Sequence, residues 1–237
     1  MNMPLNTSAN TSDPVAQARY NMIEQQIRPW NVLDFDVLEL LAVVHRENFV
    51  PPAYRNMAFM DIEVPLLGND AEEAVRLGLS MLQPRVEARI LQDLQIKPTD
   101  RVLEIGTGSG YMAALLAHRA QRVVSLEINA ELAEMARENL LDAGIQNAEV
   151  RQADGALDAI PDGPFDVIVL SGSVAEVPPA LLSLLRDGGR LGAIVGGEPV
   201  MRFTLTRRTG DRFETTSPWD TIAPRLVNFP EPSGFTF

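Results

Sequence analysis

Not one of the 237 residues is cysteine, which removes disulfide frameworks, thiolate nucleophiles and Cys-ligated metal from consideration. Histidine is almost as scarce. His45 and His118 are the two present, neither has a second histidine or a carboxylate pair at ligand spacing, and both read as solvated helix positions, so no metal is expected. No Gly-x-Ser-x-Gly run occurs, which excludes the hydrolase elbow. No apolar run approaches the roughly 18 residues of a membrane span, so no membrane partner is expected. Positive charge is also in deficit: 20 Lys and Arg against 32 Asp and Glu leave a net charge of −12. A nucleic-acid binder needs the opposite balance, because its affinity rests on cations neutralising phosphates. Arg202, Arg207, Arg208 and Arg212 read as the solvated face of a hairpin around Thr209-Gly210-Asp211. Residues 1–12 are polar, without a basic start or an apolar stretch, and are expected to be a disordered tail on a cytoplasmic protein. The chain as a whole is 46% hydrophobic, and the remainder, 13–237, can bury one full core as a single domain.

What is present is concentrated in Val102-Leu103-Glu104-Ile105-Gly106-Thr107-Gly108-Ser109-Gly110-Tyr111. Residues 102–105 read as a buried strand and residues 112–117 as the helix after it. Glycine suits such a turn because it tolerates positive φ and lets the backbone approach a ligand with no Cβ in the way. The helix start then offers unpaired N–H groups. A second strand, 122–126, leads to Glu127, seventeen positions after Gly110, where an acid can hold a ribose diol. A dinucleotide fingerprint needs its last glycine one position beyond Gly110, and Tyr111 stands there. That points to a nucleotide-type cofactor without a pyrophosphate, such as S-adenosylmethionine.

A third short strand within 149–155 ends in Asp154-Gly155, where the acid can accept from an exocyclic amine such as that of adenine. Strands at 165–170 and 191–195 follow, with helical stretches at 130–143 and 178–185 between. Alternation of this kind implies an α/β fold, a parallel sheet with helices on both faces. Ligands in such sheets bind beyond the carboxyl ends of the strands. Residues 98–237 are thus read as the cofactor-binding sheet and carboxyl-terminal strands, and 13–97 as an amino-terminal helical and lid region. There Asp13-Pro14 starts a helix with Val15, Met22, Ile23 and Ile27 on one face; Asp34 caps a second with Val37, Leu38, Leu41 and Val44; Pro84 opens a third with Val86, Ile90, Leu91 and Leu94. The stretch 64–83 is expected to form a lid.

The glycine motif, including its tyrosine, resembles the first cofactor motif of the protein-L-isoaspartate O-methyltransferases. The likeness extends upstream through Met22-Ile23-Glu24-Gln25-Gln26-Ile27, Arg46-Glu47-Asn48-Phe49-Val50-Pro51 and Gln83-Pro84, and downstream through Asp154-Gly155, Pro164-Phe165-Asp166 and Gly188-Gly189-Arg190-Leu191. It implies a class I S-adenosylmethionine-dependent methyltransferase (Rossmann-like) fold and repair of isoaspartyl residues in damaged proteins or peptides. The cofactor residues it implies are Glu104, Gly106, Thr107, Gly108, Ser109, Gly110, Glu127, Ile128, Asp154 and Gly155. The acceptor-side candidates are Ser80, Leu82, Gln83 and Ser171. No general base is needed, since a carboxyl of pKa about 4 is already ionised at neutral pH.

The family carries Thr-Ile-Ser before the Gln-Pro pair, where this chain has Ser80-Met81-Leu82, and Thr-Ala-Ala after the fourth strand, where it has Ser171-Gly172-Ser173. Residues 69–76 form an acidic, helix-like insertion. Leu82 in place of the serine beside the methyl path opens an alternative: another, small acceptor at the same cofactor site, or cofactor binding without turnover. Neither a monomer nor a homodimer is favoured.

Overall fold

A computed structural model describes residues 13–68 and 70–231; the expected tail at 1–12 and Asn69 of the insertion lie outside them. Helix α1 (Pro14–Asn21) begins where Asp13 accepts from the Val15 amide at 2.9 Å. It runs on as one π turn (Met22–Ile27) and a 3-10 turn (Arg28–Trp30), ended by Asn31 in the left-handed region at φ 65. Met22, Ile23 and Ile27 are buried as expected, but Val15 is 43% exposed and does not share their face. Asp34 caps α2 (Phe35–Val43) by accepting from the Asp36 and Val37 amides at 2.9 and 3.3 Å. The two-residue strands β1 (Val64–Pro65) and β2 (Ser80–Met81) pair antiparallel and enclose α3 (Ala71–Arg76), the helix expected within the insertion. Helix α4 (Pro84–Leu94) buries Val86, Ile90, Leu91 and Leu94. Its carboxyl end is held by Arg190, which donates to the Leu94 and Gln95 carbonyls at 2.6 Å and pairs with Asp100 at 2.7 Å. A cation belongs there, where unpaired carbonyls carry partial negative charge.

The main sheet follows: β3 (Arg101–Ile105), α5 (Tyr111–Arg119), β4 (Arg122–Glu127), α6 (Ala130–Asp142), β5 (Ala148–Gln152), β6 (Phe165–Val174), α7 (Pro179–Ser183), β7 (Leu185–Gly197), β8 (Val200–Thr209) and β9 (Arg212–Thr221). Its order is β5-β4-β3-β6-β7-β8-β9. The first five are parallel; β8 and β9 add antiparallel, so the sheet is mixed rather than wholly parallel. Three further boundaries differ from expectation. Strand β6 continues through Ser171-Gly172-Ser173, β5 ends at Gln152 so that Asp154 lies in the following loop, and β7 begins at Leu185 with Gly188 at φ 75 inside it. The hairpin of β8 and β9 turns at Gly210 as anticipated, with Arg202 paired to Asp220 on its outer face. His118 is an exposed residue of α5; His45 is exposed but precedes a 3-10 turn rather than lying in a helix.

Alternation along each strand splits the core in two. Val102, Val123, Val167 and Val169 face α4, α5, α6 and the amino-terminal helices, while Leu103, Val124, Ile168 and Leu170 face α7, Leu226 and Phe229. The chain winds from β3 outward to β4 and β5, then crosses back to place β6 on the other side of β3. This reversal leaves a crevice at the carboxyl ends of β3 and β6, the place where open α/β sheets take ligands.

Candidate functional site

The glycine turn leaves β3 at this crevice. Gly106, Gly108 and Gly110 have φ of +92, +55 and +86, a region that side chains with a Cβ adopt only at a cost. Space is short as well as conformation. A Cβ on Gly106 would lie 2.9 Å from Leu226 Cδ2, and one on Gly110 would lie 3.2 Å from the Ala136 carbonyl oxygen. Gly110 then caps α5, so the turn ends with helix amides facing the crevice.

Glu127, the last residue of β4, reaches under the turn. Its Oε2 accepts from the Gly108 amide at 2.9 Å and its Oε1 from the Asn129 amide at 3.0 Å. Burial raises its pKa, while the backbone N–H groups of Asn129, Gly108, Ile128 and Thr107 pull it back. Each oxygen keeps a second lone pair for a ligand hydroxyl. One loop further on, Asp154 accepts from the Ala156 amide at 2.9 Å and from Asn228 Nδ2 at 2.6 Å. Gly155 is needed beside it because a Cβ there would fall 2.4 Å from Ile105 Cγ2.

Beneath the crevice lies a buried polar chain. Ser125 Oγ donates to Glu104 Oε2 at 2.7 Å, Ser171 Oγ to Glu104 Oε1 at 2.8 Å, and Thr107 Oγ1 sits 2.6 Å from Ser125 Oγ. Burial pushes the Glu104 carboxyl up to about 8, against the two serine hydroxyls that favour its charged form. Glu104 is therefore the floor of the site, not part of its wall.

Gly106, Gly108, Glu127, Ile128, Asp154, Gly155, Ser80, Leu82 and Ser171 together line one cavity of about 190 Å³. Thr107 and Ser109 join Ser80, Leu82 and Ser171 around a smaller pocket under the turn. Gln83 does not join them. It lines a separate cleft with Trp30, Arg85 and Trp219, so it is not placed to touch an acceptor in the first cavity. Of the stretch 64–83 expected to form a lid, Leu77, Leu79 and Leu82 line the cavity, and Leu66 Cδ1 would be 3.4 Å from a Cβ on Gly108. The hydroxyl absent at position 82 is present two residues earlier, since Ser80 faces both pockets and donates to Glu63 Oε2 at 3.4 Å. Arg46 fixes the base of this lid by donating to the Leu82 carbonyl at 2.7 Å while paired with buried Glu87.

One wall escaped sequence reasoning. Pro224, Arg225, Leu226, Val227 and Phe229 line the cavity as a strap after β9. It is clamped to β6 by Ser173, whose amide donates to the Pro224 carbonyl at 2.7 Å and whose carbonyl accepts from the Leu226 amide at 2.9 Å. The available signal was the small, polar end of β6, whose backbone groups need partners once the strand runs past Leu170. Tyr111 also has a placement that local spacing did not reveal. It does not line the first cavity but the smaller pocket under the turn, buried against Phe49, with ring centroids 5.4 Å apart, and under the Arg46 guanidinium at 5.1 Å. The amino-terminal layer absorbs a ring that a strand packed directly on the helix start would exclude.

The family model for protein-L-isoaspartate(D-aspartate) O-methyltransferase (PCMT) matches residues 17–222. The protein-L-isoaspartate O-methyltransferase of Methanoculleus marisnigri is 40% identical over 205 residues, covering 86% of this chain and 89% of its own. That of Koribacter versatilis is 37% identical over 198 residues, covering 84% and 85%. Among solved structures, a Plasmodium falciparum chain named for the same methyltransferase and crystallised with S-adenosyl-L-homocysteine superposes with a TM-score of 0.72 at 19% identity, over 87% of this chain and 96% of that one. At that identity the superposition establishes the class I methyltransferase fold. Taken with a family model spanning nearly the whole described chain, the glycine turn with Glu127 and Asp154 beside it leads to one assignment: the chain belongs to the protein-L-isoaspartate (D-aspartate) O-methyltransferase family.

Proposed function

We propose that this chain is an S-adenosylmethionine-dependent methyltransferase that esterifies the free carboxyl group of isoaspartyl residues in damaged proteins and peptides. The observation that carries the reading is a single cavity, in a member of this family, with two acids and a glycine cradle on one side and the Ser80 and Ser171 positions on the other. The residues present fit the cofactor. The positive-φ turn leaves no Cβ over the cavity, Glu127 keeps free lone pairs for a ribose diol, and Asp154 with Gly155 offers an acceptor beside a flat, side-chain-free surface.

When bound, the cofactor supplies a methyl group on a cationic sulfonium. The protein's own contribution is alignment and dryness. The acceptor carboxylate needs no base, since its pKa of about 4 leaves it ionised at neutral pH. An anion meeting a cation loses charge separation, so a roof of Leu66, Leu77, Leu79, Leu82 and Leu226 that excludes water favours the meeting. Ser80, whose hydroxyl is held only loosely by Glu63 at 3.4 Å, can turn its O–H to hold the carboxylate in line, while Ser171 keeps its O–H on Glu104 and lines the acceptor side.

The alternative attached to Leu82, a different acceptor or no turnover, is not supported. Relatives that carry the isoaspartyl name match most of the chain, and Ser80 offers a hydroxyl on the same cavity as Leu82. No helix among the described residues is long and apolar enough to cross a membrane. The lack of cysteine fits a cytoplasmic site of action, and the net charge of −12 argues against a nucleic-acid partner. The deciding assay offers methyl-labelled S-adenosylmethionine with an isoaspartyl peptide and its normal aspartyl twin. Base-labile methyl incorporation into the first alone is expected; equal labelling, or none, would overturn the reading.

A further inference from the structure

We propose that Arg225 determines acceptor specificity by binding the oxygen of the isoaspartyl carboxylate that is not methylated. This rests on the reading above. Among the described residues lining the cavity, Arg225 is the one cation; Glu127 and Asp154 are the charged groups opposite, and Glu104 lies beneath. An anionic acceptor entering a chain of net charge −12 therefore meets favourable charge at a single point.

The guanidinium is held ready for a ligand. Nη2 donates to the Gly196 carbonyl at 2.8 Å, Nε lies 2.9 Å from Glu231 Oε1, and Nη1 is buried with no hydrogen-bond partner among the described residues. A buried donor without a partner is costly, and a carboxylate oxygen would satisfy it once the side chain turns from Glu231 toward the cavity. The position is also on the acceptor side. Glu127 and Asp154 follow β4 and β5, whereas Nη2 of Arg225 lies over the end of β7, 3.9 Å from where a Cβ of Gly197 would be, with Ser171 of β6 between. A guanidinium on the attacking oxygen would hold its electron pair and slow transfer. On the other oxygen it orients the group without that penalty. The ion pair with exposed Glu231 is weak enough to be exchanged for substrate. The main chain of Arg225 is fixed separately, by the hydrogen bonds of Pro224 and Leu226 to Ser173, so the side chain can be changed without releasing the strap.

The test compares wild type, Arg225→Gln, Arg225→Lys and Glu231→Gln in three measurements: KM for an isoaspartyl peptide, Ki for the same peptide with a neutral carboxamide replacing the isoaspartyl carboxylate, and Kd for S-adenosylhomocysteine. Loss of one charged hydrogen bond in Arg225→Gln should raise KM roughly tenfold or more, with Lys recovering part of it. The carboxamide Ki and the S-adenosylhomocysteine Kd should stay where they were, and Glu231→Gln should lower KM by freeing the guanidinium. An unchanged KM in Arg225→Gln with an active wild type overturns the proposal alone. So does a parallel weakening of all three measurements, which would mark Arg225 as a structural part of the strap. A wild type that does not methylate the peptide overturns the functional reading and this proposal together.

Discussion

Replacing Glu127 tests the cofactor site most directly, because the side chain has two separable duties. Toward the protein, its oxygens accept from the Gly108 and Asn129 amides at 2.9 and 3.0 Å and so hold the turn in shape. Toward the cofactor, the remaining lone pairs would accept from two ribose hydroxyls. Glu127→Ala removes both, and loss of the charged acceptors should cost about 1.5–3 kcal/mol of binding, roughly ten- to more than a hundredfold in Kd. Glu127→Gln keeps the volume but turns an NH₂ toward a backbone N–H. It should retain part of the affinity and lose about 1–3 kcal/mol of stability through the mismatched donors. Titration calorimetry with S-adenosylhomocysteine and thermal unfolding without it separate the two duties. If Glu127→Ala melts earlier yet binds as tightly as wild type, the carboxylate is only a brace for the turn and the ribose lies elsewhere.

Three further outcomes are expected. Tyr111→Phe should be neutral or stabilising in chemical denaturation, since the hydroxyl is buried without a partner among the described residues; Tyr111→Ala should cost about 3–5 kcal/mol by leaving a cavity against Phe49 and Arg46. Glu104 ionises near pH 8 when folded and near 4.5 as its reference value, so the unfolded chain releases this proton first as pH rises. Its contribution to stability is complete below about pH 4.5 and is lost progressively up to about pH 8, and Glu104→Gln, which cannot ionise, should gain on wild type across that window in denaturation midpoints; a constant difference would contradict the assignment. Ser80→Ala should lower kcat/KM on an isoaspartyl peptide about tenfold while Leu82→Ser changes it little, and the reverse ranking in steady-state assays would return the orienting role to position 82.

Much of the cofactor half was legible before folding was considered, for reasons of local geometry. A buried strand followed by glycine at every second position constrains φ within five residues. Counting forward through one helix and one strand brings Glu127 back to the same edge of the sheet, because parallel strands must all end on one side. The same regularity split Val102 from Leu103 and Val123 from Val124 into two cores. The acceptor half was not legible in this way, because its parts come from segments with no fixed spacing. Leu226 closes over Gly106 from 120 positions away through hydrogen bonds to Ser173 that no side-chain pattern announces. Gln83 adjoins Leu82 in the chain yet opens into another cleft, and a hydroxyl reaches the cavity lining from Ser80, two positions before Leu82. Tyr111, informative in the motif for what it excluded, found its partners in Phe49 and Arg46 of the amino-terminal layer. Short-range periodicity determined the sheet and the cofactor-side edge; the wall, the roof and the one cation among the described residues lining the cavity were decided only when distant segments packed, since packing energy depends on which surfaces meet and not on their separation along the chain.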